Sequence, residues 1–468
     1  MPSFNLVGGA YRARAKAFDA QRCVNLYPEV SGSGTSLSVA ALYGTPGLAP
    51  WGEFGTGPTR GQLRFNSSTM IVVSGGQVFS ATTAGVATLL TGSIAAATTP
   101  VSMASNGTLI MLTTGGANGY FINPAAGTVT AISDPDFLGG VNVGFLDGYF
   151  VWNVPGTGKF QYSQLYGDQI DGLDFATAEG SPDNIVASIV NYRELWLFGE
   201  NSTEVWYDQS NIDSVFARIQ GAFLEVGCAA ANSVAKMDNT VFWLGADDRG
   251  QGIVYRATGY TPQRASTHAI EWAIAQFIRV DDAIGYTYQQ EGHQYYVLTF
   301  PTGNATWVYD AATDLWHERA YRTDDGALNR HRSNCQAAFA GLTLVGDWET
   351  GNVYSMALDT FSDAGAVIPR IRAAPYVTNA DNAYMTFDAL QVDMETGVTG
   401  TAVLQWSDDD GKTWSNEMQA SLGEIGETVR VKWRRLGKSR ARVFRVTITD
   451  SVRVAIVGAS VQARQLSA

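Results

Sequence analysis

Short apolar runs occur in pairs along this chain: a β-rich run, a turn with Gly or Asn, and a second β-rich run. Three copies are Thr69-Met-Ile-Val-Val-Ser-Gly-Gly-Gln-Val-Phe79, Thr108-Leu-Ile-Met-Leu112 with Gly119-Tyr-Phe-Ile122, and Gly148-Tyr-Phe-Val-Trp152 with Lys159-Phe-Gln-Tyr162. Three more are Glu194-Leu-Trp-Leu-Phe198 with Glu204-Val-Trp-Tyr207, Thr240-Val-Phe-Trp-Leu244 with Ile253-Val-Tyr-Arg256, and His293-Gln-Tyr-Tyr-Val-Leu298 with Thr306-Trp-Val-Tyr309. The last is Leu342-Thr-Leu-Val345 with Asn352-Val-Tyr-Ser355. Unit starts fall roughly 40–50 residues apart, the length of one four-stranded propeller blade. A lone hairpin is marginal in water, so each unit must bury a face against its neighbours, which favours closure into a ring. The pattern therefore predicts an all-β fold with a β-propeller of six or seven blades, the quoted strands being each blade's inner pair. A β-sandwich of irregular hairpins is the competing reading.

One segment departs from strand periodicity. In His268-Ala-Ile-Glu-Trp-Ala-Ile-Ala-Gln-Phe-Ile278, residues Ile270, Ile274, Phe277 and Ile278 recur at helical intervals, with Ser266 and Thr267 available as caps, so a short packed helix is expected. Beyond Phe361 the unit stops. Different spacing follows in Ala389–Asp393, Ala402–Trp406, Thr428–Trp433, Val443–Ile448 and Val454–Val457, several alternating polar with apolar. The expected organisation is an arm with the first strands over 1–45, the propeller over 46–361, and a β-sandwich-like domain with a basic tail over 362–468.

Composition fits that outline: aromatic residues are 11%, Gly numbers 50, and charged residues are only 16%. The net charge of -13 and pI near 4.8 argue against general adhesion to nucleic acid or anionic membrane. The start, Met1-Pro2-Ser3-Phe4-Asn5, shows no apolar signal core, and no run approaches the ~18 apolar residues of a spanning helix, so cytosolic synthesis is expected. Cys23, Cys228 and Cys335 lack paired spacing and read as buried thiols.

The sharpest local motif is Ser407-Asp408-Asp409-Asp410-Gly411-Lys412-Thr413-Trp414, which resembles the Asp box of sialidases and related propellers. Its chemistry is that of a turn, in which an Asp accepts backbone N–H groups, Gly takes a positive φ and Trp packs beneath. The structural turn residues are Ser407, Asp409, Gly411, Thr413 and Trp414; a Ca²⁺ site on Asp408 to Asp410 is the lesser reading. Val308-Tyr309-Asp310 with Thr313 and Trp316 is similar to part of a kelch repeat. The pairs Asp247-Asp248, Asp281-Asp282 and Asp324-Asp325 could serve acid–base work, but neighbours on a strand face opposite ways, so they read as solvated loops. His268, His293, His317 and His331 form no HxH or HExxH spacing. No catalytic constellation, cofactor or metal is expected.

Charge is unevenly placed. Arg430, Lys432, Arg434, Arg435, Lys438, Arg440, Arg442, Arg445, Arg453 and Arg464 stand against one acid, Asp450, so residues 430–468 carry +9 and residues 1–429 carry -22. The first eight of these are candidate docking residues for an acidic partner, a neighbouring copy's propeller or DNA phosphate. A solvated hairpin is the plainer reading.

Several phrases taken in order resemble the tail nozzle proteins of short-tailed phages, also called packaged DNA stabilisation or tail accessory proteins. They are Asn25-Leu-Tyr27, Gly44-Thr-Pro-Gly-Leu48, Thr59-Arg-Gly61, Gly75-Gly-Gln-Val-Phe79, Val101-Ser-Met-Ala104, the helix from Ala269 to Ile278, and Val431-Lys-Trp-Arg-Arg-Leu-Gly437. The resemblance implies a virion structural protein, not an enzyme, made in the host cytoplasm and placed in the tail. It further implies a cyclic self-assembly, a hexamer, added below the portal and its adaptor ring, with tailspike or tail needle as further neighbours. Packaged DNA would be retained and then pass through the channel without sequence-specific binding, and no membrane would be involved. The contrasting reading, from the Asp box and exposed aromatics, is a glycan-binding or glycan-cleaving propeller, which needs arginines or carboxylates converging on the central face.

Overall fold

A computed structural model describes residues 3–31, 38–211, 214–237, 239–247, 250–379 and 381–466. Seven antiparallel four-stranded blades form a ring, one for each repeated unit. The quoted strand pairs are the second and third strands of their blades, which corrects the expectation that they are innermost. The innermost strands are Thr59–Arg64, Ser102–Ser105, Val143–Leu146, Ile185–Asn191, Ala235–Met237, Ile284–Gln290 and Ser333–Phe339, each packed against the inner strand of the next blade or the turn beside it. These strands are rich in Ser, Thr, Asn and Gly, so they carry little of the apolar signal that marks the middle pair.

The middle strands carry consecutive apolar residues because each blade is covered on both faces, and alternate side chains serve opposite neighbours. In strand Met70–Ser74, Ile71 and Val73 pack against blade 2 through Ile110 and Leu112, while Met70 and Val72 pack against blade 7 through Phe339 and Leu344. In blade 4, Leu195 and Leu197 face blade 3, and Trp196 and Phe198 face blade 5 through Val241 and Trp243. The five-residue strand Met70–Ser74, apolar but for its last residue, thus lies buried along its whole length.

The inner edge of every blade would leave backbone groups unpaired, and a belt of hydrogen bonds between blades satisfies them. Asn334 Nδ2 donates to Thr59 O at 3.0 Å, Val101 N to Arg60 O at 3.1 Å, and Val143 N to Ser102 Oγ at 3.0 Å. Ser188 N donates to Asn142 Oδ1 at 3.3 Å, and Lys236 Nζ to Val190 O at 3.4 Å. Thr287 Oγ1 donates to Lys236 O at 2.7 Å, and the Tyr286 and Ser333 hydroxyls meet at 2.7 Å. All seven blade junctions are bridged in this way.

Closure uses a strand from far away in sequence. The outer strand of blade 7 is Gly47–Glu53, paired with Asn352–Ala357. A Cβ on Gly47 would stand 2.4 Å from Thr360 O and 2.6 Å from Ser362 O, so only glycine lets the chain enter here. Residues 362–363 and 366–367 form a small hairpin on this same strand, and the first sandwich strand after the propeller is Arg370–Ala373.

The second domain is two packed sheets whose apolar faces meet through Phe387, Leu390, Leu404, Trp433, Phe444 and Val446. One sheet runs in the order Leu26–Val30, Ala40–Gly44, Ala455–Gln465, Met385–Met394, Val431–Arg434, so the arm at the start of the chain supplies one end of it. The other runs from the outer strand of blade 6, Leu315–Arg322, through Ala20–Val24, Arg370–Ala373, Ala441–Ile448 and Thr401–Ser407 to Met418–Ser421. Blade 6 and the sandwich therefore share a continuous sheet, joined by strand Ala20–Val24. The buried side chains of Leu6, Ala10, Cys23 and Leu26 belong to the same apolar cluster as Trp316 and Phe444.

Polar clamps hold this seam. Asn25, at φ 52°, donates to Ala320 O at 2.9 Å and Pro369 O at 3.0 Å and accepts from Ala320 N at 3.0 Å. The buried Arg372 guanidinium donates to Leu6 O, Gly9 O and Arg22 O, at 2.6, 3.0 and 3.4 Å. The helix spans His268–Ile274, capped by Thr267 Oγ1, which accepts from Ile270 N. It ends four residues before the expected Ile278, whose side chain is fully exposed, while Phe277 turns back onto Phe300 with ring centroids 4.8 Å apart. Cys23 and Cys228 are buried and Cys335 is half-buried; burial raises the Cys228 thiol to about 11 and the other two to about 12, so all are inert.

Candidate interaction surfaces

The basic segment divides into spent and exposed cations. Arg442 is buried, and its guanidinium donates to both oxygens of Asp408, at 2.6 and 2.8 Å, and to Leu436 O. It also lies over the rings of Phe387 at 4.6 Å and Trp406 at 5.1 Å. Arg445 is half-buried, stacked 3.9 Å over the Trp414 ring and donating to Gln405 Oε1 at 2.5 Å; desolvation lowers its pKa. Arg464 pairs with Asp388 at 2.7 Å and Arg453 with Glu395 at 3.3 Å. Lys432 is half-buried on the edge strand.

Arg430, Arg434, Arg435, Lys438 and Arg440 are exposed, and none makes an ion pair among the described residues. All but Arg430 sit on or next to the turn between strands Val431–Arg434 and Lys438–Ser439, both of which pair with Met385–Met394. Arg435 at φ 60° and Gly437 at φ 81° make that turn, and buried Leu436 anchors it by donating its N–H to Phe387 O at 3.0 Å. Lys438 and Arg440 flank Tyr384, at 5.9 and 4.7 Å from its ring, a residue that sequence alone did not mark.

The Asp motif forms a tight turn after strand Thr401–Ser407 in the sandwich, not on a blade. Asp409 accepts from Ser407 Oγ at 2.7 Å, Thr413 N at 2.8 Å and Thr413 Oγ1 at 2.7 Å, and these donors hold its carboxyl well below the usual range. Gly411 N donates to Ser407 Oγ at 2.8 Å, and both Asp410 and Gly411 take positive φ, 64° and 72°. The three neighbouring carboxylates diverge: Asp408 to Arg442, Asp409 into the turn, and Asp410 to the Tyr376 hydroxyl at 2.9 Å. Each has a protein partner, and they do not converge on a common point.

The remaining candidates also have structural employment. Tyr309 and Trp316 pack with ring centroids 5.3 Å apart, and Asp310 accepts from His293 Nδ1 at 2.8 Å, which raises the His293 pKa. Asp281 pairs with Arg279, Asp282 accepts from Thr302 N at 2.8 Å, and Asp325 accepts from Ala327 N at 3.2 Å. Asp247 accepts from Gly250 N at 3.0 Å, and Asp248 lies outside the described residues. His317 and His331 are buried, and desolvation lowers both pKa values, His331 to about 3, so both are neutral. His268 is exposed beside Glu271.

The seven inner strands contain no Asp or Glu. Their buried Arg60 is consumed by the carbonyls of Thr99, Gly75 and Ala95, at 2.7, 2.7 and 2.9 Å. Carboxylate chemistry of the kind that cleaves glycosides therefore finds no acid on the strands that line the propeller axis. No helix among the described residues is long and apolar enough to cross a membrane.

A seven-bladed propeller fused through a shared sheet to a sandwich defines a two-domain all-β protein. The comparisons narrow that class. The family model described as bacteriophage P22 Gp10, beta-propeller, matches residues 2–361, and the one described as bacteriophage P22 Gp10, beta-sandwich, matches residues 370–464. The chain belongs to this family and is a phage tail structural protein. Among solved structures it is similar to the computationally designed Ika8 protein, with 10% identity, a TM-score of 0.41, and coverage of 66% of this chain and 99% of that one. The WD40 propeller domain of Doa1 gives 11% identity, a TM-score of 0.40, and coverage of 67% and 97%. No curated protein gives a significant sequence match.

Proposed function

We propose that this chain forms the nozzle ring of a short phage tail, closing the portal channel to retain packaged DNA and conducting it at ejection. The observation that carries this reading is the family match over both domains in order. The charge distribution supports it: a region of -22 repels a duplex, so DNA slides past without adhering, and retention falls to a constriction or plug. Several copies, six on this reading, assemble with cyclic symmetry beneath the adaptor ring, where weak contacts repeated around the ring sum to a stable collar. Tailspike or tail needle would meet the outer end of the same ring. The absence of acids from the inner strands supports a role without a reaction.

Particles assembled without this chain test the proposal. They should package genome, lose it on storage, and regain retention when purified full-length chain is added. Particles that keep their DNA without the chain would overturn the reading.

A further inference from the structure

Blade 3 carries an exposed apolar patch within an acidic rim. Leu138, Leu165, Tyr166 and Leu173 are 53%, 55%, 69% and 83% exposed, and Phe175 on the outer strand is 38% exposed. Residues 163–174 form a long loop before that strand and fold back so that Leu165 and Tyr166 cover the Gly148 turn. Gln164 Nε2 donates to Asp174 Oδ2 at 2.6 Å. Gln161 ties the preceding loop to the same edge, donating to Asp136 O at 2.8 Å and accepting from Leu138 N at 3.1 Å. Asp134, Asp136, Asp168 and Asp171 are exposed around the patch. Lys159, 4.6 Å over the Phe175 ring, is the one cation between residues 131 and 180. The outer strand Phe175–Thr177 is short and its far edge is unpaired among the described residues.

Strand order fixes where this patch lies. Blade 3 is three blades from blade 6 in one direction and three from blade 7 in the other, so it sits across the ring from the seam that carries the sandwich. The basic edge strand Val431–Arg434 ends a sheet whose opposite end, Leu26–Val30, packs against the outer strand of blade 6. The acidic patch and the basic edge thus lie on different domains, blade 3 of the propeller and the sandwich edge strand that lies farthest in its sheet from blade 6.

We infer that the acidic, apolar edge of blade 3 in one copy receives the basic edge of the next copy, head to tail, through Arg434, Arg435, Lys438 and Arg440 with Tyr384 and Leu466. Charge complementarity selects this occupant, and the basic edge carries its own exposed apolar surface, Tyr384 at 48% and Leu466 at 40%. A contact between unlike ends of a subunit closes into a ring when the rotation permits, which is the symmetry a collar needs. The inference rests on the ring reading above and names the two surfaces that close it.

Charge exchange tests it on the full-length chain, followed by native mass measurement at low and high salt. Wild type should form a closed oligomer that weakens as salt rises. Arg434→Glu with Arg440→Glu should abolish it, as should Asp171→Lys with Asp174→Lys, while circular dichroism stays unchanged. Mixing the two variants should restore a ring of alternating copies, which loss of folding could not produce. A wild-type ring that survives both reversals overturns this interface and leaves the ring reading standing. Tails purified from virions that contain one copy of the chain overturn both. If Arg434→Glu with Arg440→Glu abolishes retardation of linear duplex DNA and leaves association intact, the basic edge is a nucleic-acid dock and the inference fails.

Discussion

The propeller and the sandwich are both antiparallel β structures, but they solve the problem of loose strand edges in opposite ways. In the propeller every blade but the seventh, which borrows Gly47–Glu53, is built from strands that follow one another in sequence, and short polar bridges such as Asn334 to Thr59 join the blades. In the sandwich, neighbours come from both ends of the chain: Ala40–Gly44 pairs with Ala455–Gln465, and Ala20–Val24 with Arg370–Ala373. The propeller is thus closed by repetition and the sandwich by a strap that also fastens it to blade 6. Charge follows the same division. Residues 65 to 133, most of blades 1 and 2, contain no charged residue, whereas the sandwich buries Arg370, Arg372 and Arg442 and displays Arg430, Arg434, Arg435, Lys438 and Arg440.

The largest expected effect lies in the sandwich core. Asp408→Ala removes two charge-assisted hydrogen bonds from the buried Arg442 guanidinium, and because Asp408 itself is partly exposed urea unfolding should show a loss of about 2–3 kcal/mol. A loss comparable to that of an ordinary surface substitution would mean that the pair is not what holds the sandwich.

The propeller side of the seam should answer to pH instead. Asp363 is buried at the blade 7 hairpin with Oδ1 unpartnered among the described residues, and burial raises its carboxyl to about 7. The folded chain then binds more protons than the unfolded chain between about pH 4 and 7, so stability falls as pH rises through that window. Asp363→Asn should flatten that part of the profile and stabilise the chain at pH 8 relative to wild type. An unchanged profile would place the titration elsewhere.

Asn25→Ala removes the clamp between blade 6 and the sandwich, leaving Ala320 and Pro369 backbone groups unsatisfied, at about 1–2 kcal/mol. Calorimetry should then resolve two unfolding transitions where wild type has one; a single undivided transition would show that the strap does not couple the domains. The smallest effect belongs to the exposed edge: Arg434→Glu and Arg440→Glu should change stability by no more than about 0.5 kcal/mol.

The repeated strand pairs were legible because the middle strands of a blade are covered on both faces and carry consecutive apolar residues, as Met70–Val73 and Leu195–Phe198 do. Inner strands such as Ser102–Ser105 use hydroxyls to bridge blades, so they leave no apolar run and the middle pair alone shows in the sequence. The strap was hidden for a different reason: Asn25 and Arg372 find partners more than 290 residues away, and no local pattern announces that pairing. In the basic segment, the sum of charge was readable but its use was not. Arg440 and Arg442 are two positions apart, but Arg440 lies in the bend before strand Ala441–Ile448 and is exposed, whereas Arg442 lies on the strand and is buried against Asp408. The Asp turn was readable because its partners lie within six residues, from Ser407 to Thr413. The blade 3 patch had a signal, the acid and apolar mixture from Leu165 to Phe175, whose meaning needed the ring to show where it points.

The most direct measurement is an image reconstruction of the vertex of intact virions at a resolution that separates blades. The account predicts several copies in a closed ring around the DNA path, each with a seven-bladed propeller, and the basic sandwich edge of one copy against blade 3 of the next. A virion whose tail axis carries no such ring, with this chain absent or present as an isolated copy, would contradict it.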